Sequence, residues 1–348
     1  MNLRTLVLIF SAIFGFAICT LSLPAEEPLR PVKVFILAGQ SNMEGKAKLS
    51  LLEYQAKQPA TANLFAQHRR DEKWIERDDV SIKFFERHGP LTVGYGSPNC
   101  IGPELEFGYV VGQHHEEPVL LIKTAWGGRS LYRDFRSPSA ELPPAEVLQE
   151  MLAKEQVKKP ATTLDDIKAP FGASYRAMLE EIKQTLASAD TLFPANKGRR
   201  YELTGFAWFQ GWNDMINPVA TAEYTENMAH FIRDVRRDLA APHLPFVIAQ
   251  MGVDGLNPSD NIRKFKEAQA AVLEIAEFKG NVALVKTDEV WDLEAEAVFK
   301  KGWRENLAEW NTVGSDFPYH YLGSAKGLCR IGKAMGEAVI KLDANRQK

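Results

Sequence analysis

The chain predicts an α/β protein, a three-layer α/β/α sandwich built on about five parallel strands. Short apolar runs rich in Val, Ile, Leu and Phe recur along the 348 residues, bounded by turn residues as buried strands are. Amphipathic segments of helical periodicity separate them, the alternation that builds right-handed βαβ crossovers. The first run ends abruptly in glycine and polar residues, and in open α/β sheets ligands sit just beyond the carboxyl ends of the strands.

The first run, Val32 to Leu37, is interrupted only by Lys33 and passes through Ala38-Gly39 into Gln40-Ser41-Asn42-Met43-Glu44-Gly45. Residues 49–90 alternate short apolar and charged stretches, and the charged segment His68 to Trp74 reads as a solvated turn. Thr92 to Pro103 is a loop dense in Gly, Pro, Ser and Asn. Pro103 opens a helix carrying Leu105, Phe107, Val110 and Val111, with Glu104 and Glu106 in the first turn, where the helix dipole favours negative charge. The second strand is Pro118 to Lys123, followed by Thr124-Ala125-Trp126-Gly127-Gly128-Arg129-Ser130. From Leu131 to about Arg200 strand signals are lost. Glu146 to Lys159 and Tyr175 to Ala187 have helical spacing, so this stretch reads as a helical insertion where selectivity would be built.

The third strand, Leu203 to Phe209, leads into Gln210-Gly211-Trp212-Asn213-Asp214. Asn217-Pro218 is a helix start, and Met228, Phe231, Ile232, Val235 and Leu239 form one apolar face behind it. Strands follow at Pro245 to Gln250 and Val282 to Lys286, separated by a helix with Ile262, Phe265, Val272 and Ile275. The last helix carries Leu328, Ile331, Met335, Val339 and Leu342, preceded by the loop Ser315-Asp316-Phe317-Pro318-Tyr319-His320.

At the start of the chain, Arg4 and an uncharged apolar run from Leu6 to Leu23 read as a secretory signal segment over residues 1–25. Residues 26–348 would then form one exported domain, periplasmic or extracellular; an uncleaved membrane anchor is the alternative. Lys and Arg number 42 against 45 Asp and Glu, a balance that does not argue for nucleic acid. Beyond the leader only Cys100 and Cys329 remain; export would permit a disulfide between them, and free thiols are the other reading. There is no C-x-x-C and no zinc spacing.

A serine just past a buried strand is a candidate nucleophile, although turn and N-cap serines are commoner. Gly127-Gly128 serves either a tight turn or a backbone N–H close to a reacting carbonyl. Of the seven histidines, His320 is the one in a loop placed to reach over the strand ends. His114 and His115 precede the second strand at the opposite end of the sheet, His68 and His88 lie in polar stretches, His230 flanks an apolar helix stripe and His243 sits in a turn.

Gly39-Gln40-Ser41-Asn42-Met43 resembles the nucleophile block of the SGNH (GDSL-like) hydrolase superfamily, specifically its sialate O-acetylesterase-like branch and family 6 of the carbohydrate esterases. Trp126 to Ser130, Trp208 to Asp214 and Asp316 to Lys326 resemble the later blocks in order. The resemblance implies a flavodoxin-like sandwich. It also implies Ser41 as nucleophile, His320 as base and Asp316 as the orienting acid, with Asp288 or no acid as alternatives. Asp316 stands four residues before His320, one more than the family's usual spacing. The implied oxyanion donors are the N–H groups of Ser41 and Gly128 and the side chains of Asn213 or Gln210, Asn213 preferred. Gln40, Arg129 and Trp212 are implied substrate contacts, and Trp126, Trp208 and Trp212 suit stacking on sugar rings. Trp212 replaces a glutamate found in related sugar esterases. The expected substrate is an O-acetylated carbohydrate, with no metal or organic cofactor. The alternatives are another acyl esterase or thioesterase of the same superfamily, or a non-catalytic carbohydrate-binding protein.

Overall fold

A computed structural model describes residues 29–346 of the chain. The expected leader over residues 1–25 lies outside the described residues. Seven strands form the central sheet: β1 Val32–Gly39, β2 Arg77–Phe84, β3 Arg87–Leu91, β4 Val119–Ala125, β5 Tyr201–Phe209, β6 Phe246–Gln250 and β7 Val282–Lys286. Their order across the sheet is β7-β6-β5-β1-β4-β2-β3. Six run parallel, and β3 is an antiparallel edge strand.

The five expected strands are all present within two residues of their expected ends. The two additional strands, β2 and β3, come from the charged 49–90 region. In β2 only alternate residues Val80, Ile82 and Phe84 are buried, so its period-two signal is short and hidden among Arg77, Asp78, Asp79 and Lys83. The His68–Trp74 segment folds into a small hairpin of Arg69–Arg70 with Lys73–Trp74, turning at Asp71 and Glu72 with positive φ. His68 itself is not solvated: it is buried, with Nε2 2.5 Å from Glu106 Oε2.

Every residue of β1 is buried, as expected for a central parallel strand covered on both faces. Its neighbours are β4 and β5, so the chain reverses direction across the sheet at β1. That makes the carboxyl end of β1, where Ser41 follows, the topological switch point at which such sheets bind ligands.

One helical layer joins α1 Glu104–His114, which lies over β4 and β2, to the long C-terminal helix, here α7, Ala325–Arg346, which lies over β5, β6 and β7, and buries Phe107, Ile331, Met335 and Val339 in the core. The other layer contains α3 Ala173–Ala187, α4 Pro218–Asp238 and α5 Asp260–Ala271. The 131–200 stretch is therefore divided in its role. Helix α3 buries Tyr175, Met178, Leu179 and Ile182 in the main core, whereas α2, Ala145–Gln156, packs Leu148 in a satellite cluster with Tyr132, Phe171 and Ala220. Helix α6, Leu293–Lys300, follows β7. Among the described residues no helix is long and apolar enough to cross a membrane.

Cys100 and Cys329 are both buried as free thiols, and the disulfide that export would permit is not formed. Burial pushes both thiol pKa values up, which lowers their reactivity. Iodoacetamide added to the unreduced, denatured protein is expected to alkylate both residues. A Cys100–Cys329 cross-linked peptide in the digest would contradict this arrangement.

Candidate active site

Ser41 follows β1 at the first position of a single helical turn, Ser41–Glu44. Its N–H has no acceptor within that turn, because the first N–H groups of any helix lack intrahelical partners. The turn lies close against β5. Gly39 has φ +152, and a Cβ there would meet Phe209 O at 2.2 Å, so no other residue fits where the first strand leads into the Ser41 turn.

The approach of His320 depends on the loop before α7. Ser315 and Asp316 both donate N–H bonds to Leu322 O, at 2.8 and 3.2 Å, and Ser315 Oγ donates to Gly323 O at 2.8 Å. The loop is thereby closed on itself. Tyr321, Leu322 and Gly323 take left-handed φ values of +52, +58 and +56. Such backbone costs about 1–3 kcal/mol per bulky residue and survives only where surroundings impose it. The fully buried Tyr321 ring imposes it: Gly252 N–H donates to its hydroxyl at 2.8 Å, and the hydroxyl lies 2.6 Å from Thr287 Oγ1.

The resulting geometry is a line of three groups. His320 Nε2 lies 2.9 Å from Ser41 Oγ, and Nδ1 lies 3.1 Å from Asp316 Oδ1. Ser41 and His320 are 279 residues apart in the chain. With the carboxylate facing Nδ1, the neutral ring carries its proton there and Nε2 is free to accept from the serine. Burial works against ionised Asp316, but the His320 ring, the Phe317 N–H and the charge of Lys46 outweigh it and bring its pKa below the usual carboxylate value. The four-residue spacing works because the loop bends at Pro318 and doubles back through Leu322. Asp288 does not reach His320; it pairs with Lys266.

The three loops around Ser41 are cross-braced. Gln40 is only 1 % exposed. Its Oε1 accepts from Gly211 N–H and Gln210 Nε2, at 3.2 and 3.3 Å, and its Nε2 reaches Asn213 Oδ1 at 3.5 Å. Asn213 Nδ2 in turn donates to Gly128 O at 3.2 Å, which leaves its second N–H unused by that bond. Gly128 is exposed, with φ +70, at the tip of the loop after β4. Gln210 is placed differently from its expected role at an oxyanion. It is 2 % exposed, and its amide nitrogen already faces Gln40 Oε1, Arg129 O and Asp214 Oδ2, three acceptors for two hydrogens. Gln40, likewise expected to touch substrate, lies beneath the site.

Arg129 is half-exposed beside Asp134, and Trp212 is partly exposed with its ring 5.5 Å from that of Tyr319. Trp126 is partly exposed near Phe85 and Phe135. Trp208, expected among the sugar-stacking rings, is completely buried and donates Nε1–H to Tyr224 Oη at 3.2 Å. It is core because inward positions of a central strand have no surface.

Two buried charges escaped sequence reasoning. Asp214 accepts from Leu131 N–H at 2.9 Å, Tyr132 N–H at 2.8 Å and Gln210. It fastens the segment after Gly128 to the loop after β5. Its burial pushes its pKa up to about 6, against the opposing hydrogen bonds from Tyr132, Gln210 and Leu131. Lys123, at the end of β4, donates to Glu44 O and Tyr95 O at 2.8 Å each and to Glu104 Oε2 at 2.7 Å. It supports the end of the Ser41–Glu44 turn. Burial lowers its pKa and Glu104 raises it again, with the downward effect prevailing. The available signal was a lysine closing an otherwise apolar run.

A three-layer sandwich with a serine at its switch point and a histidine–aspartate pair brought over the strand ends defines an SGNH-type ester hydrolase. Residues 31–301 match the family described as carbohydrate esterase, sialic acid-specific acetylesterase, and the chain belongs to that family. The matched segment ends before Asp316 and His320. An Arabidopsis thaliana protein named a probable carbohydrate esterase is 21 % identical over 249 residues, 70 % of this chain and 76 % of its own. The crystal structure of that plant protein superposes with a TM-score of 0.51 at 16 % identity, covering 89 % of this chain and 98 % of its own, a likeness of fold. A carbohydrate acetylesterase from Xanthomonas citri gives a TM-score of 0.43 at 14 % identity, over 72 % of this chain and 49 % of its own.

Replacing Lys123 with Met leaves Glu104 charged and unpaired, and denaturant unfolding is expected to show a loss of about 3–5 kcal/mol. Adding Glu104→Gln should recover part of it. Asp214 predicts a pH dependence. Its native pKa of about 6 exceeds the ordinary 3.8, so its contribution is fully present only below the ordinary value and is lost as pH rises through 6. Relative to the non-titrating Asp214→Asn variant, the native protein should lose about 2 kcal/mol of stability between pH 4 and pH 7. A constant difference across that range would contradict the assignment.

Proposed function

We propose that this carbohydrate esterase is an O-acetylesterase that removes acetyl groups from O-acetylated sugars, a sialic acid or a plant or algal polysaccharide such as xylan, through a covalent acetyl-enzyme. The observation that carries the reading is the line Ser41 Oγ, His320 Nε2, His320 Nδ1, Asp316 Oδ1, with separations of 2.9 and 3.1 Å across its two hydrogen bonds.

His320 takes the Ser41 proton as Oγ attacks the acetyl carbonyl. The carbonyl oxygen becomes an oxyanion, held by the N–H groups of Ser41 and Gly128 and by the second Nδ2–H of Asn213. Asp316, kept ionised, holds the ring tautomer and offsets the imidazolium charge. The imidazolium then gives its proton to the departing sugar oxygen, leaving acetate esterified to Ser41. Water repeats the sequence: His320 removes its proton, the hydroxyl adds to the acetyl carbon, and Ser41 leaves with the proton returned. Arg129 and Trp212 contact the sugar. Gln40, Gln210 and Asp214 position the donors without touching substrate. Residues 1–25 act as an export signal, placing this chemistry outside the cytoplasm among polymeric or cell-surface glycans.

Acetate release from 4-nitrophenyl acetate, acetylated xylan and acetylated sialic acid tests the reading. Ser41→Ala and His320→Ala are expected to fold and to lose kcat by at least about 10³-fold, and Asp316→Asn by about 10²–10⁴-fold. Full activity in Ser41→Ala, or an inert native protein, would refute it.

A further inference from the structure

The first cation after Ser41 in the chain has no part in the chemistry above. Lys46 follows the Ser41–Glu44 turn by two residues; its ammonium lies 2.9 Å from Glu44 Oε2 and donates to Ser97 Oγ at 2.7 Å. The backbone fixes its place on both sides. Gly45 passes so close to Gly102 that a Cβ would meet Gly102 Cα at 2.2 Å, and Ser97 N–H donates to Gly45 O at 3.0 Å. Ala47 and Lys48 then pair with Ile101 and Cys100. Lys48 N–H also donates to Ser315 Oγ at 3.1 Å, which laces this segment to the loop carrying Asp316 and His320.

Glu44 is the reason a cation matters here. A Cβ on Gly127 would lie 3.5 Å from Glu44 Oε2 and 3.9 Å from Ser41 Cβ. The carboxylate therefore adjoins both the serine and the glycine pair proposed to supply an oxyanion donor. A negative charge at that place opposes the one that develops on the carbonyl oxygen, and repulsion between charges falls only as the inverse of their separation. Among the described residues Lys46 is the one ion-pair partner of Glu44. The ammonium acts on Asp316 as well. Against the burial of Asp316, the His320 ring, the Phe317 N–H and the Lys46 charge bring its pKa down. The Cys100 thiol also faces Asp316, and burial pushes its pKa up and keeps it neutral. Stability does not account for the Lys46–Glu44 pair. Its side chains are 22 % and 17 % exposed, and ion pairs that water reaches add little to a fold.

We propose that Lys46 is a positioning residue for the hydrolysis at Ser41: its ammonium neutralises Glu44, so that no opposing charge stands beside the glycine pair, and it adds a positive charge on the side of Asp316. This rests on the esterase reading above and adds to it the residue that sets the charge around the serine. Lys46 takes no part in making or breaking bonds; it acts through Glu44 and Asp316. A fixed positive charge is what the role requires, so arginine can fill it and a neutral side chain of similar length cannot. Without Glu44 the first part of the role disappears, because there is no longer a carboxylate to neutralise.

The test measures kcat and KM on 4-nitrophenyl acetate at about pH 8, where aspartates are ionised, for the native protein, Lys46→Met, Lys46→Arg and the double variant of Lys46→Met with Glu44→Gln. Lys46→Gln takes the same comparisons should Lys46→Met not fold. Lys46→Met is expected to lose kcat by about tenfold to a hundredfold with KM nearly unchanged, Lys46→Arg to keep most of the native rate, and the double variant to recover most of what Lys46→Met loses. Denaturant midpoints should be alike in all four proteins. A second readout needs no turnover: the NMR carboxyl signal of Asp316 should titrate at higher pH in Lys46→Met than in the native protein, because a positive charge that favours the carboxylate has been removed. Native kcat in Lys46→Met, a loss that Glu44→Gln does not relieve, or a loss carried by KM would overturn the inference while leaving the esterase reading intact. So would an Asp316 signal that titrates alike in both proteins. A native protein inert on every ester, with the Asp316 signal still displaced in Lys46→Met, would sustain the placement of the charge and refute the esterase reading instead.

Discussion

A polar group taken out of water must find a partner, and beneath Ser41 that requirement couples three loops that are far apart in the chain. Gln40, Asn213 and Gly128 are joined in one hydrogen-bonded path, while Asp214 ties Leu131 and Tyr132 to Gln210. An amide or carboxylate left unmatched here would cost about 1–3 kcal/mol or more. The loops therefore hold one relative position, and the groups proposed as oxyanion donors are set before substrate arrives. Catalysis by preorganised dipoles needs this rigidity, since dipoles that had to reorient would return much of the gain.

The ionic pair of Lys123 and Glu104 serves the same end from below. Both side chains are fully enclosed, and such a pair gains little net stability over apolar packing. Its value lies in direction. The ammonium has three hydrogens and three acceptors, two of them backbone carbonyls at Glu44 and Tyr95. It thereby joins the Ser41 turn, the loop before α1 and α1 itself at the end of β4. An apolar residue there could fill the space but would leave those carbonyls unmatched.

On the other side of Ser41, the histidine is delivered by a loop whose backbone is unfavourable and whose anchor is a tyrosine. Tyr321 points inward to Thr287 and Gly252 at the ends of β7 and β6, and its neighbour His320 points outward to Ser41. Consecutive left-handed residues allow adjacent side chains to diverge in this way. The same loop carries Phe317 and Tyr319, whose rings stack on each other beside His320. The family resemblance concerns mostly the rest of the chain: the matched segment stops at residue 301, and Asp316 and His320 lie beyond it.

Local patterns were sufficient for the strand–helix alternation, for Ser41 at the end of the first strand and for His320 before the last helix. In each case the signal lies within a few consecutive residues: an uninterrupted apolar run, a break at glycine, a loop ahead of an amphipathic face. Strands β2 and β3 were hidden because one-sided burial leaves only Val80, Ile82 and Phe84 to mark them among charges. Four residue positions were settled only by tertiary structure. Gln40 and Gln210 look in sequence like groups that face substrate, yet both are buried and their amide nitrogens are taken up in the brace. Trp208 looks like a stacking ring, yet it points into the core. Asp316 stands one residue off the familiar spacing, yet the doubled-back loop brings it to His320. Sequence thus determined which residue types stand near the strand ends. Which of them face the solvent and which hold the others was decided by long-range contacts, because burial and hydrogen-bond satisfaction belong to the packed whole and not to any local stretch.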